Sequence, residues 1–278
     1  MDYTHGEAGG GGYILHGLRS FDLAAICESG QCFRWERAAE DTYEGVAFGL
    51  CRRVSRRGDS LFFHGVQEAE FKSVWHGYFD FGRDYGALAG LLRSDDTLRR
   101  AVDYAPGMRI LRQDCWEALC SFILSQNNNI ARIKGLVRRL CEYFGEPVSG
   151  GFAFPGPERL AGLSADNLAP VRSGFRAEYI LDAARAVASG RVELEKLPSM
   201  PLEEARAALM CIRGVGPKVA ECALLYGAGR VECFPVDVWI GRAMKKYFGD
   251  GFDITAFGRH AGIVNQYLFY YARGRGEK

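Results

Sequence analysis

The sequence holds no apolar run near the roughly 20 residues that a membrane helix requires, so a helical membrane anchor is not expected. Its glycine-rich start, Gly9 to Gly12, lacks the basic and apolar regions of a secretory leader, and a cytoplasmic location is expected. No Cys-x-x-Cys pair occurs among the nine cysteines, and an odd count argues against a closed disulfide set. Beyond Cys233 there is no cysteine, and the five histidines are scattered along the chain. A structural zinc or iron–sulfur site is therefore not expected, and neither metal nor cofactor is assigned. Charge of one sign is also missing. Thirty-five Lys and Arg stand against 34 Asp and Glu, for a net charge of +1, so any surface that binds nucleic acid must be local.

What is present is ordinary globular composition, 48% hydrophobic and 25% charged, in a chain of 278 residues, long enough for a sizeable core in two domains or one large one. From residue 13 to 80, short β-type runs alternate with turn signals: "QCFRWER", "TYEGVAFGLCRRVSRR" and "SLFFHG", with Arg57-Gly58-Asp59 as a turn. From about residue 85 the period becomes helical, through "DYGALAGLLRSDDTLRRAV", "DCWEALCSFILSQ", "IARIKGLVRRLCEYFG" and "RAEYILDAARAVASG" to "FGRHAGIVNQYLFYYARG". The expected fold class is α+β. An antiparallel sheet domain with flanking helices would occupy residues 1–104, and a helical domain residues 105–278.

Within the helical part, "EEARAALMC" and "KVAECALLYG" flank "RGVGP", a stretch too short and too rich in glycine to be anything but a turn. That spells a helix–hairpin–helix at about residues 203–227, with Pro217 suited to the first position of its second helix. Gly214 and Gly216 let the backbone around Val215 approach a partner, and the unpaired N–H groups of the following helix suit a phosphate oxygen. Lys218 then stands at the mouth of that helix. With an ordinary lysine, roughly one molecule in a thousand carries the free amine at neutral pH. The helix dipole and partial desolvation both disfavour the charged form, which is how a Schiff-base-forming nucleophile is made. The simpler reading is a protonated phosphate contact. Asp237, in "FPVDVWIG", follows Pro235 where a helix cap is expected, and a capping carboxylate at a pocket rim can also serve catalysis.

Hairpin, lysine and Pro-Val-Asp at this spacing, with "SGQCFRWE" (29–36) and "LSQNNNIARIKGLVRRLC" (124–141), resemble the helix–hairpin–helix DNA glycosylases and, among them, the 8-oxoguanine DNA glycosylase family. The resemblance runs from about Gly30 to Ala272. It implies an enzyme that flips 8-oxoguanine from duplex DNA, cleaves its glycosidic bond and nicks the strand by β-elimination. By the same resemblance Lys218 attacks the sugar C1′, and Asp237 stabilises cationic character on the sugar and orients the lysine. The carbonyl of Gly30 would accept the hydrogen that 8-oxoguanine, unlike guanine, carries on N7. Cys222 and Phe269 would sandwich the base in a pocket that also draws on Gln266. Asn127 would fill the gap in the duplex, with Phe175 beside it, while Arg132 and Arg176 approach the orphaned base. Cytosine opposite the lesion suits those donors. Gly214, Val215 and Gly216 would follow the phosphate backbone.

Two departures stand out. The family often has tyrosine where this chain has Phe175, and eukaryotic members have a phosphate-contacting histidine where Trp239 stands. The compact chain suggests a prokaryotic member acting as a monomer at the nucleoid. Two other readings are a glycosylase for an alkylated base or oxidised pyrimidine, and a non-catalytic DNA-binding protein that uses only the hairpin. The first rival usually lacks the lysine or carries cysteines for a cluster; the second needs no Lys218 with Asp237.

Overall fold

The computed structural model describes residues 2–275. Packing divides the chain into two units. One comprises residues up to Gly45, Arg52–Arg112 and the chain from Val236 onward; the other comprises Val46–Cys51 and Gln113–Pro235. The division anticipated at residue 104 thus lies inside the first unit, to which the chain returns after Pro235.

The first unit is built on strands β1 (His5–Gly9), β2 (Gly12–His16), β3 (Trp35–Ala39), most of β4 (Thr42–Ala47) and of β5 (Leu50–Arg57), and β6 (Ser60–His64). They form one sheet in the order β1-β2-β6-β5-β4-β3, and the register pairs are antiparallel. An α+β fold with an antiparallel sheet ahead of the helices is what the sequence led us to expect. Local details differ. The glycine-rich start is a hairpin: Gly10 and Gly11 both take positive φ, as a two-residue turn between right-twisted strands demands. "TYEGVAFGLCRRVSRR" is two strands, β4 and β5, parted at Phe48-Gly49. Residues 68–78 are helical with a π turn at Phe71–Trp75, not extended.

Helices α1 (Leu23–Glu28), α2 (Tyr85–Leu92) and α3 (Asp96–Tyr104) belong to this unit. The single helical run read over 84–102 breaks because Asp95 caps α3 through the N–H groups of Thr97 and Leu98. Trp35, Phe63, Trp75, Phe79 and Phe81 are fully enclosed and pack in edge-to-face and tilted pairs. Buried among them is a charge. Arg109 donates to the carbonyls of Ser20, Phe79, Asp80 and Arg83 and to Asp2 Oδ2 at 2.9 Å, with the Tyr85 ring 4.4 Å away. A buried guanidinium is tolerable only when its donors are used this fully.

The second unit packs α4 (Cys115–Ser125), α5 (Ile130–Phe144), α6 (Arg176–Ala188), α7 (Leu202–Met210) and α8 (Pro217–Tyr226). α4 is apolar nearly all round and lies against α8, whereas α5 buries one stripe, Ile133, Leu136, Val137, Leu140 and Cys141. Cys120, Cys141, Cys222 and Cys233 fill this core without forming disulfides, and burial pushes Cys120 well above the ordinary thiol value. α9 (Val238–Phe248) and α10 (Ala261–Gly274) complete the first unit. α10 starts later than its sequence pattern suggests because Gly258 (φ 47°, ψ −125°) breaks the preceding 3₁₀ turn. No helix among the described residues is long and apolar enough to cross a membrane.

Candidate active site and nucleic-acid interface

In the second unit α7 and α8 form the expected hairpin around Cys211–Gly216. Gly214 takes φ +80°, and a Cβ there would sit 2.2 Å from the Tyr179 ring, so torsion and space both require glycine. The turn is fastened from α6: Asp182 Oδ2 accepts the Arg213 N–H at 2.8 Å. Val215 points inward and is buried. Gly216 caps α8 without a side-chain hydrogen bond and has open space beside its Cα, which leaves the helix N-terminus accessible to an anion.

Lys218 is half-buried at the second position of α8. Its Nζ donates to Ser125 Oγ at 3.4 Å and lies 5.1 Å from the centroid of the Phe122 ring. Ser125 spends its own proton on the Phe122 carbonyl at 2.7 Å, so its lone pairs face the amine. The aromatic face attracts the ammonium while the helix N-terminus repels it, and the amine is held against α4. Cys222, one turn further along α8, is buried. Between them Glu221 faces inward, accepting from Arg206 Nε of α7 and from the Phe234 N–H at 2.6 Å. It ties both hairpin helices to the strand-like exit toward Pro235. Ser125, Phe122 and Glu221 escaped the sequence reading, although a glutamate inside the apolar "KVAECALLYG" signals a buried charge that must have a partner.

The three asparagines after α4 do three different things. Asn127 adopts the left-handed conformation (φ +51°), which asparagine tolerates better than most residues, and its side chain is exposed. Asn128 Nδ2 donates to the Leu124 carbonyl at 2.8 Å, and Asn129 Oδ1 caps α5 through the Arg132 N–H at 2.9 Å. Arg176 braces this turn. Although placed by the sequence among base-contacting residues, it is 4% exposed and donates to the carbonyls of Gln126, Asn127 and Ser173. Desolvation, followed by repulsion from Arg132, lowers its pKa from the ordinary arginine value. Arg132 itself is exposed, and so is Phe175, whose ring lies 4.3 Å from the Arg176 guanidinium carbon.

The remaining expected residues lie in the first unit. Gly30 follows α1 with φ +82°. The segment after it is a loop until Trp35, not a strand: buried Gln31 donates to the Arg109 carbonyl and accepts from the Leu111 N–H, both at 2.8 Å, so a side-chain amide substitutes for a neighbouring strand. α10 grips the same loop by two carbonyls. Gln266 Nε2 reaches Ser29 O at 3.4 Å, and an Arg273 nitrogen reaches Glu28 O at 2.6 Å. Gln266 is buried, and Phe269, nearly one turn along, stays half-exposed with the Arg273 guanidinium 5.7 Å from its ring. Asp237 is the N-cap of α9, its Oδ1 accepting the Ile240 N–H at 2.8 Å. Trp239 is half-buried in the first turn of that helix.

Within the first unit, then, the fold sets Gln266 on the carbonyl of Ser29, the residue before Gly30. Within the second it sets Lys218 and Cys222 on one helix and joins Arg176 to the Asn127 turn. A glycine-turned helical hairpin with a lysine at its second mouth belongs to the base excision class: residues 120–255 match the model for "HhH-GPD superfamily base excision DNA repair protein". Residues 14–119 match "8-oxoguanine DNA glycosylase, N-terminal domain". The chain belongs to the 8-oxoguanine DNA glycosylase family. Among solved structures, MBOgg1 in complex with a low affinity DNA ligand superposes with a TM-score of 0.95 at 42% identity, over 100% of both chains. The Clostridium acetobutylicum 8-oxoguanine glycosylase/lyase, in complex with dsDNA containing cytosine opposite 8-oxoG, gives 0.93 at 35% identity, over 99% of this chain and 100% of that one. The Arabidopsis thaliana N-glycosylase/DNA lyase OGG1 is 32% identical over 233 residues, 79% of this chain. The chain spans 64% of that curated relative, less than two thirds of its length.

Proposed function

We propose that this protein excises 8-oxoguanine from duplex DNA and cleaves the strand at the resulting abasic site, with Lys218 as nucleophile. Family membership supports the reading, and the observation that carries it is the anchoring of Lys218 against Ser125 and Phe122 at the open N-terminus of α8. The free amine attacks C1′, the C1′–N9 bond breaks, and its electron pair leaves with the base. Loss of a proton from nitrogen and opening of the sugar ring give an iminium. Removal of a C2′ proton then expels the 3′ phosphate, and water releases the lysine from the imine. Asp237 would offset the cationic sugar, as carboxylates do in glycoside hydrolysis.

Recognition follows from hydrogen-bond complementarity. A carbonyl at Gly30 accepts the N7–H of 8-oxoguanine, whereas guanine would oppose acceptor to acceptor and forfeit about 1–3 kcal/mol. Gln266, Cys222 and Phe269 would line the pocket, and the hairpin Gly214-Val215-Gly216 would hold phosphate through its backbone. Asn127, rigid in its left-handed turn, would occupy the space of the flipped base with Phe175 beside it. Because Arg176 spends its donors on the Asn127 turn, the discrimination for cytosine falls chiefly to exposed Arg132.

The deciding experiment uses duplexes carrying one 8-oxoguanine opposite each of the four bases, assayed for strand nicking and for borohydride trapping with the wild type and Lys218→Gln. We expect a trapped covalent complex on the cytosine duplex that disappears in the variant. Binding without excision or trapping would reduce the hairpin to a phosphate contact. Activity confined to alkylated bases or oxidised pyrimidines would reassign the substrate.

A further inference from the structure

The first hairpin carries a cluster that the DNA chemistry does not use. Strand pairing sets His5 directly opposite His16, and Glu7, two residues on, projects from the same face of β1. One donor atom from each of the three lies within 4.8 Å of the others, and the two imidazole rings are stacked with centroids 4.8 Å apart. Histidines far apart in the chain thereby become neighbours, which is why the sequence alone showed only scattered ones.

A hydroxyl stands at the Nδ1 of each ring: Thr4 Oγ1, which donates its own proton to the His16 carbonyl at 2.9 Å, lies 3.2 Å from His5 Nδ1, and Ser60 Oγ lies 3.1 Å from His16 Nδ1. In the tautomer that places the ring proton on Nδ1, toward these hydroxyls, both Nε2 lone pairs are available to a metal. His16 Nε2 meets Glu7 Oε1 at 3.1 Å, a pair that holds either a proton or a metal cation. Oriented imidazoles whose second nitrogen is hydrogen-bonded are the usual arrangement behind a metal. Tetrahedral zinc with bonds of roughly 2.0–2.1 Å separates its ligand atoms by about 3.3 Å, close to the Glu7–His16 spacing; a small rotation brings in His5.

We propose that His5, Glu7 and His16 form a divalent metal site of the zinc class, which clips the edge strand β1 to β2. Two imidazoles and a carboxylate are a borderline donor set that prefers zinc to magnesium or calcium. The clip would reinforce a strand that pairs on one side only and leads directly from Asp2, the partner of buried Arg109.

The test is a zinc titration of the whole, chelator-stripped protein in competition with a chromophoric chelator, for wild type, His16→Ala and His5→Ala. All three ligands are exposed or half-exposed, so the variants should fold, and metal-free melting curves check that they do. We expect one zinc equivalent in the wild type that weakens at least about tenfold in each variant, as loss of one of three ligands implies. Zinc should also raise the melting temperature of the wild type only. Cobalt(II) should give tetrahedral bands without thiolate charge transfer. Unchanged binding in the variants, or thiolate absorption, would place the metal on cysteines such as exposed Cys211 and overturn the proposal. So would absence of zinc binding at micromolar concentration, which would leave only the His16–Glu7 hydrogen bond.

Discussion

Arg109 shows how much one side chain can organise. Its guanidinium binds four backbone carbonyls and the Asp2 carboxylate in a site with no exposure. Replacing it by methionine keeps most of the volume but strands a nearly buried carboxylate, and removal of one partner of such a pair costs about 3–5 kcal/mol. A guanidinium chloride unfolding midpoint should register that loss; an unchanged midpoint would mean that water reaches Asp2. Glu221 is the counterpart in the second unit. Glu221→Gln should cost about 2 kcal/mol through weakened charge-assisted bonds to Arg206 and Phe234. Neither role was legible in the sequence, because an arginine or glutamate inside an apolar stretch announces burial but not its partner. Lys218 and Asp237 were legible as types and positions: proline and glycine fix the local backbone before any distant contact forms. What escaped was the floor under the lysine, since Ser125 and Phe122 lie on a helix 93 residues away in sequence from the amine that Ser125 meets.

Among the elements, the helices were readable from their 3.6-residue stripes, and the hairpin from its turn chemistry. Gly214→Ala tests the latter. Alanine would have to adopt φ +80° while displacing the Tyr179 ring, so stability should fall by about 1–3 kcal/mol and duplex affinity with it; a neutral result would show that α6 yields. The strand β1 was not legible, since "HGEAG" has little β propensity and pairs only because β2 stands ready beside it. "SGQCFRW" failed in the opposite sense. Its β-type residues belong to a loop whose order comes from the Gln31 amide, a tertiary substitute for a ladder that no local pattern encodes.

For the whole molecule, acid sensitivity follows from three histidines of the first unit. Desolvation, the largest cause in each case, lowers His64, His76 and His260 below the ordinary value of 6.5. Arginines add to it: Arg53 and Arg57 at His64, Arg109 at His76, and Arg259 and Arg83 at His260, with only Asp80 opposing at His76. The folded state thus holds these rings neutral while the unfolded chain protonates near 6.5. Stability is complete above that value and declines as pH falls from it toward the lower folded values. The denaturation midpoint should drop between about pH 7.5 and about pH 5.5, and His64→Gln should shrink the drop; a flat profile would contradict the assignment. The C-terminal return of the chain has a consequence for biosynthesis. Because α9 and α10 finish a unit whose sheet is made first, the leading strands must wait on the ribosome for more than a hundred intervening residues before α10 can grip the Glu28–Gly30 loop. The contiguous stretch 113–235 has no such wait, so once Pro235 has cleared the ribosome the lysine-bearing hairpin can be complete while the Glu28–Gly30 loop is still ungripped.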